Sequence, residues 1–317
     1  MTGTRVLADT VALVRATHFN ANAETLASNA FQLAAGEPGA AAAALREQVA
    51  LAGALETAGV NVIWLDPPES SRSPDGVFPN NWFSTHEDGR LVLYPMQAPS
   101  RRGEQLPDLA DRLHEHGFHV AATLDLSPHA SDGRFLEGTG SLVLDRGNRI
   151  AYACRSVRTD IGLAKEWAAR LGYRIHEFTA QDPAGRAIYH SNVMMSIGAG
   201  IAIACFDAIP ERVERERLRH ELIESGNDVL EIDWAQVKAF AGNQLFLDGR
   251  KGPVVALSAT ADASLRADQV ALLERHAARC VADVATIERH GGGSVRCMLA
   301  EIFLPREGQV TTTRSDS

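Results

Sequence analysis

A closed ring of α/β units is the fold this 317-residue sequence predicts, and three observations predict it. A short hairpin pattern recurs along the chain, a helical stretch follows each hairpin, and a single strand follows each helix. The recurrence has a period of about fifty residues. Hairpins are expected at residues 82–95, turning at Glu87-Asp-Gly-Arg90, and at 142–154, 193–205 and 245–257, where apolar runs flank turn residues. Helices are expected at 102–115, 159–171, 210–224 and 266–279, because apolar residues recur there at three- and four-residue steps. Strands follow at 118–122, 173–178, 228–232 and 280–287. The fifth unit combines the two ends: 295–303 pairs with 11–15, and helices at 23–33 and 40–58 lead into a strand at 60–65. An open doubly wound sheet would instead show single strands alternating with helices and no repeated hairpin. The ring is read as one α/β domain over residues 1–310, with a polar, frayed tail at 311–317.

Composition narrows the function. A hydrophobic content of 45% supports a sizeable core. With 40 acidic against 31 basic residues and a net charge of −9, the chain offers no phosphate-binding face, so small molecules rather than nucleic acid are the expected partners. Four cysteines without paired short spacing make neither a disulfide framework nor a zinc signature, which fits a reducing cytoplasm. No basic-then-apolar leader is present and no apolar run has the roughly 18 residues a membrane span needs. A homodimer is the default association. His114-Glu-His-Gly-Phe-His119 resembles metal-ligand spacing, but it falls where a helix ends and a strand begins, without a carboxylate cluster, and is read as a solvated helix terminus.

In a ring the unit ends converge on an axis, so residues distant in sequence can share one pocket. The candidate segments open the hairpins: Phe78-Pro-Asn-Asn-Trp82, Phe135-Leu-Glu-Gly-Thr-Gly140, Tyr189-His-Ser-Asn192 and Gly291-Gly-Gly-Ser-Val-Arg-Cys297. They supply a carboxylate (Glu137), an imidazole (His190), a thiol (Cys297) and several amides, the parts for thiol attack on an electrophilic carbon. Residues 70–76 read as a mobile lid by composition.

These motifs carry a resemblance. From Val14-Arg15 through Pro79-Asn-Asn-Trp-Phe-Ser-Thr-His86, Ser100-Arg-Arg-Gly-Glu104, Leu136-Glu-Gly-Thr-Gly140, Ser156-Val-Arg-Thr159 and His190-Ser-Asn192 to the glycine run before Cys297, the chain resembles the guanidine-modifying, or pentein, superfamily. Arginine deiminases, dimethylarginine hydrolases and amidinotransferases belong to it, and the chain is most similar to its citrulline-utilisation hydrolase group. The resemblance implies a five-bladed αβ propeller with pseudo-fivefold repeat and a central active site. It also implies that Cys297 is the covalent nucleophile, His190 the general acid/base and Glu137 the carboxylate that holds that histidine protonated and oriented. Arginines at the Ser-Arg-Arg and Arg-Thr positions bind the substrate's α-carboxylate in related enzymes, which points to Arg158 and to either Arg101 or Arg102. No metal or cofactor is called for.

The departures bear on the substrate. Deiminases carry aspartates, which grip a cationic guanidinium, where this chain has His86 and Asn192. A guanidinium desolvated without an anionic partner loses several kcal/mol. A neutral ureido group avoids that loss, and Asn80, Asn81 and Asn192 offer donors and acceptors for it. The expected reaction is citrulline to ornithine, with the carbamate decomposing to ammonia and carbon dioxide. An arginine or methylarginine hydrolase, an amidinotransferase and a catalytically silent binding propeller remain as alternatives.

Overall fold

The computed structural model describes residues 5–26, 29–32 and 36–308. The chain enters through strand β1 (Thr10–Val14), helix α1 (Ala40–Ala58) and strand β2 (Asn61–Leu65). One unit then comprises β3 (Phe83–Thr85), β4 (Arg90–Leu93), α2 (Leu109–Glu115) and β5 (Ala122–Asp125). The next opens with the helical turn α3 (Gly138–Ser141) and continues through β6 (Leu142–Asp145), β7 (Ile150–Cys154), α4 (Ile161–Leu171) and β8 (Arg174–Phe178). Strands β9 (Met195–Ile197) and β10 (Ile201–Ala204), helix α5 (Arg212–Glu224) and β11 (Asp228–Glu231) make another. After α6 (Trp234–Lys238) come β12 (Leu245–Gly249), β13 (Gly252–Ser258), α7 (Ala259–Ser264), α8 (Ala267–Glu274) and β14 (Ala278–Ala282). Helices α9 (Ala285–Gly291) and α10 (Val295–Met298) lead to β15 (Ala300–Glu301).

These strands form five separate three-stranded sheets, each an antiparallel hairpin with a third strand parallel to its middle strand. The ends of the chain complete the fifth: β1 pairs antiparallel with β15, Val11 opposite Glu301, and parallel with β2. The sequence dictates which strand is central. Middle strands such as β7 (IAYAC) and β10 (IAIA) are continuous apolar runs and are wholly buried, as a strand covered on both faces must be. Third strands such as β8 (RIHEF) are less buried, with only His176 and Phe178 turned fully inward. Helix α4 shows how a unit is punctuated. Asp160 caps its start by accepting from the Leu163 amide, and Gly172, at φ 72°, ends it in the left-handed conformation.

The segments that open the five hairpins touch in a closed circuit. Thr139 Oγ1 donates to Asn80 O, Ser191 Oγ to Ser141 O, and Asn243 Nδ2 to Asn192 O. The Arg296 amide then donates to Asn243 O, and Thr85 Oγ1 to Glu301 O, returning to the first segment. This is the five-bladed αβ propeller that the resemblance implies, and it agrees with the ring read from the repeat.

Several sequence expectations shift. The described residues of the 23–33 stretch form turns rather than a helix, with 27, 28 and 33 outside the described set. Its polar side chains serve long-range bonds instead: Thr25 Oγ1 donates to Asp75, as does Asn22 Nδ2 just before the stretch, and Asn29 Nδ2 donates to Gly291 O. Of the strand expected at 280–287 only residues 280–282 are extended, as the end of β14, which begins at Ala278 within the stretch expected to be helical, and α9 begins three residues after β14. The 295–303 strand is a helical turn followed by the two-residue β15. The tail expected at 311–317 lies outside the described residues. Among the described residues no helix is long and apolar enough to cross a membrane, and no cluster of three metal-ligating side chains occurs.

Candidate active site

A polar pocket lies where the hairpin-opening segments meet, with about 270 Å³ of empty space partly open to solvent. Its walls include Asn81, Arg101, Arg158, His190 and Cys297, together with Asp75. Short helical turns at the hairpin openings position four of the site residues. Asn81 ends the 3-10 turn Pro79–Asn81, Glu137 stands at the N-terminal end of α3, His190 precedes the turn Ser191–Val193, and Cys297 lies in α10.

Glu137 and His190 meet directly, with Oε2 to Nε2 at 2.8 Å and both side chains buried. The Gln97 amide donates to Oε1 at 3.0 Å, and Arg158 and Arg101 stand 3.5 and 4.0 Å from Oε2. Burial alone would raise the Glu137 carboxyl, but Arg158, the bond to His190 and Arg101 outweigh it and hold the group well below the usual carboxylate range. An ionised Glu137 fixes the imidazole tautomer. Nε2 must carry the proton it donates, which leaves Nδ1 as the basic nitrogen.

The histidine's own acidity differs from expectation. Glu137 was expected to hold His190 protonated, yet burial pushes it down to about 4 against the support of the Glu137 bond, with Arg158 and Arg101 adding to the depression. In the free site the ring is therefore neutral at pH 7. Gly140 keeps the basic nitrogen uncovered, since a Cβ there would lie 2.8 Å from Nδ1.

Cys297 is buried, and two amides point at its sulfur: Asn243 Nδ2 at 3.2 Å and Asn192 Nδ2 at 3.5 Å. Asn243 escaped the sequence reading. Ala241-Gly-Asn-Gln244 opens the fourth hairpin as the other segments open theirs, so the repeat itself was the available signal. Its glycine is enforced by close approach, because a Cβ on Gly242 would meet Val193 O at 2.4 Å.

The two neighbouring arginines part ways. Arg101 is buried in the pocket wall, where it donates to both oxygens of Glu104 at 2.8 and 2.9 Å and to Asn81 Oδ1 at 2.8 Å. Arg102 turns away, donating to the backbone of Met96 and Gln97 beside the Phe135 ring. Arg158 lies over the Tyr189 ring, reaches Glu137, and donates to Thr25 O. Asn80 is buried behind Asn81, whose Nδ2 donates to its Oδ1.

His86 is a correction. Its Nε2 contacts Ser84 Oγ at 3.0 Å, its ring faces Trp167, and it lines a different small pocket with Arg5, Asp88, Arg146 and Arg149. Strand β3 runs away from the axis and carries His86 on the order of 10 Å outward, so the axial residue of this hairpin is Asn81. Residues 70–76 are a second correction. Ser71, Ser73 and Asp75 are buried, with Ser73 Oγ donating to Glu104, so the stretch is packed into the protein rather than forming a lid, and only Asp75 of it lines the pocket. Asp75, also missed, receives Asn22 and Thr25 on Oδ2, while its buried Oδ1 has no partner among the described residues.

A ring of five α/β units around an axial polar pocket defines the pentein superfamily of guanidine-modifying proteins, and this chain is a member. More particularly, residues 15–304 match the model of the eukaryotic N,N dimethylarginine dimethylhydrolase family, and the chain belongs to that family. Among solved structures, the apo form of the cyanobacterial arginine dihydrolase ArgZ superposes with a TM-score of 0.74 at 16% identity, over 95% of this chain and 42% of that one. The chain thus spans less than half the length of full ArgZ. The substrate-bound N-terminal domain of ArgZ gives 0.73 at 16% identity, covering 93% and 99% of the two chains. The citrulline complex of a mutant DDAH from Pseudomonas aeruginosa gives 0.64 at 14%, covering 93% and 99%. No curated protein matches the sequence.

Proposed function

We propose that the chain is a cysteine-dependent hydrolase that hydrolyses the ureido group of citrulline, removing its carbamoyl part to give ornithine, ammonia and carbon dioxide. One observation carries this reading: among the described residues the side chains hydrogen-bonded to the reacting sulfur are the amides of Asn192 and Asn243, which are neutral and suit a neutral carbon centre. The amino-acid end has its own complement. Arg158 suits an α-carboxylate and the open Oδ1 of Asp75 suits an α-ammonium. Arg101, committed to Glu104 and Asn81, holds the wall and adds positive charge.

In this mechanism the Cys297 thiol gives its proton to neutral His190 as substrate binds. The sulfur attacks the ureido carbon, and the carbonyl electron pair moves to oxygen. As the pair returns, the carbon–nitrogen bond breaks and the imidazolium gives its proton to the departing nitrogen. Water, deprotonated by the same ring, then cleaves the carbon–sulfur bond. The thiol is restored and the carbamate decomposes. Because His190 titrates at about 4, kcat/KM is expected to stay level from pH 8 down to about 5. An acid limb centred near 6.5 would instead mark a solvated imbalanced ring and contradict this role.

A second reading has one specific observation behind it. The open carboxylate oxygen of Asp75 would also suit a guanidinium, which makes arginine the competing substrate. Purified protein incubated separately with citrulline, arginine and dimethylarginine decides between them. Ornithine is expected from citrulline at least about 100-fold faster than any product from the others. Turnover of arginine without turnover of citrulline would overturn the ureido assignment.

A further inference from the structure

Two buried acceptors beside the nucleophile are left unused by this mechanism. Asn192 and Asn243 are almost wholly buried, each directs Nδ2 at Cys297 Sγ, and each Oδ1 has no hydrogen-bond partner among the described residues. The orientation of Asn243 is fixed by its surroundings. Its Nδ2 also donates to Asn192 O at 2.9 Å, so turning the amide over would set two acceptors against each other. An acceptor that is buried and open is costly in the free protein and is relieved by a ligand that brings hydrogen-bond donors.

A primary ureido nitrogen brings two such donors to the carbon that the sulfur attacks. A dimethylated nitrogen brings none, and a monomethylated one brings a single N–H with added bulk. We propose that Asn243, together with Asn192, is the specificity determinant that reads an unsubstituted terminal nitrogen, each side chain positioning Cys297 through Nδ2 and accepting from the substrate through Oδ1. The inference rests on the proposed reaction at Cys297 and adds what that reaction leaves open: this member of a dimethylarginine dimethylhydrolase family discriminates against N-methylated substrates.

The test compares kcat/KM for citrulline with that for citrulline methylated on its terminal ureido nitrogen, in the full chain and in variants whose circular dichroism and melting temperature show that they are folded. The wild-type preference is expected to be at least about 100-fold, because a site built around open acceptors rejects an analogue lacking the donors. In Asn243→Ala and in Asn192→Ala that preference is expected to shrink at least about tenfold, mainly through kcat on the unmethylated substrate. If Asn243→Ala does not fold, Asn243→Ser is read in its place. An unchanged preference in folded, active variants would overturn the proposal, as would a wild type that does not discriminate. Should the protein use arginine and not citrulline, the ureido reading fails alone, and the same ratio taken with arginine and monomethylarginine still decides the role of the amide pair.

Discussion

Replacing Cys297 with alanine is expected to abolish ornithine release from citrulline, lowering kcat by at least about 10⁴-fold while leaving the fold intact. The thiol is placed for one task. It sits in α10 at the meeting point of the five units, with amide nitrogens at 3.2 and 3.5 Å and with His190, which Glu137 backs, in the same pocket. Cys154 and Cys205, by contrast, are buried within the apolar core, and burial pushes both thiols up to about 11. Neither can substitute. Steady-state assays of Cys297→Ala beside Cys205→Ala separate the two situations, and residual turnover above about one per cent in the first would require another nucleophile.

Glu137→Gln is expected to act on both catalysis and stability. Gln97, His190, Arg158 and Arg101 all converge on this carboxylate. An amide there keeps the shape but removes the charge, and it no longer requires the proton of His190 to reside on Nε2. The ring can adopt the other tautomer, with Nδ1 protonated and unable to accept from the thiol, so kcat should fall about 10³-fold or more. Two buried arginines also lose their shared counter-charge, at a stability cost of roughly 3–5 kcal/mol. Denaturant titration can read this, and pH supplies a sign. The folded pKa of Glu137 lies below its unfolded value, so its contribution is full above the unfolded carboxylate range and is lost as pH falls through the folded value. The stability gap between wild type and variant should therefore narrow on acidification. A gap that widens in acid would mean that Glu137 is not ionised in the native protein.

Cys297, His190 and Glu137 could be found in the sequence because each lies in a segment that opens a hairpin, and the hairpins were visible as a fifty-residue periodicity. Asn243 occupies the equivalent place in the fourth unit, but Ala241–Gln244 has no charged or nucleophilic residue to draw attention. Asp75 was hidden for a different reason. Its burial comes from Asn22 and Thr25, some fifty residues away, and no local pattern reports a long-range contact. His86 shows the limit of counting along a motif, since Pro79–Asn81 turns one side chain to the axis and β3 then leads the rest outward. The choice between Arg101 and Arg102 was likewise a matter of which side of the 3-10 turn Pro99–Glu104 faces the pocket. Sequence periodicity located the axis; side-chain direction at the axis depended on turns too short to show a period.

The central claim is that Cys297 attacks the carbon of a neutral ureido group, and the most direct measurement is mass spectrometry of the protein quenched during citrulline turnover. The peptide containing Cys297 should carry a covalent carbamoyl adduct, alone or with the ornithine chain attached according to which nitrogen leaves first. Turnover of citrulline with Cys297 unmodified at every quench time, together with an active Cys297→Ala variant, would contradict the account.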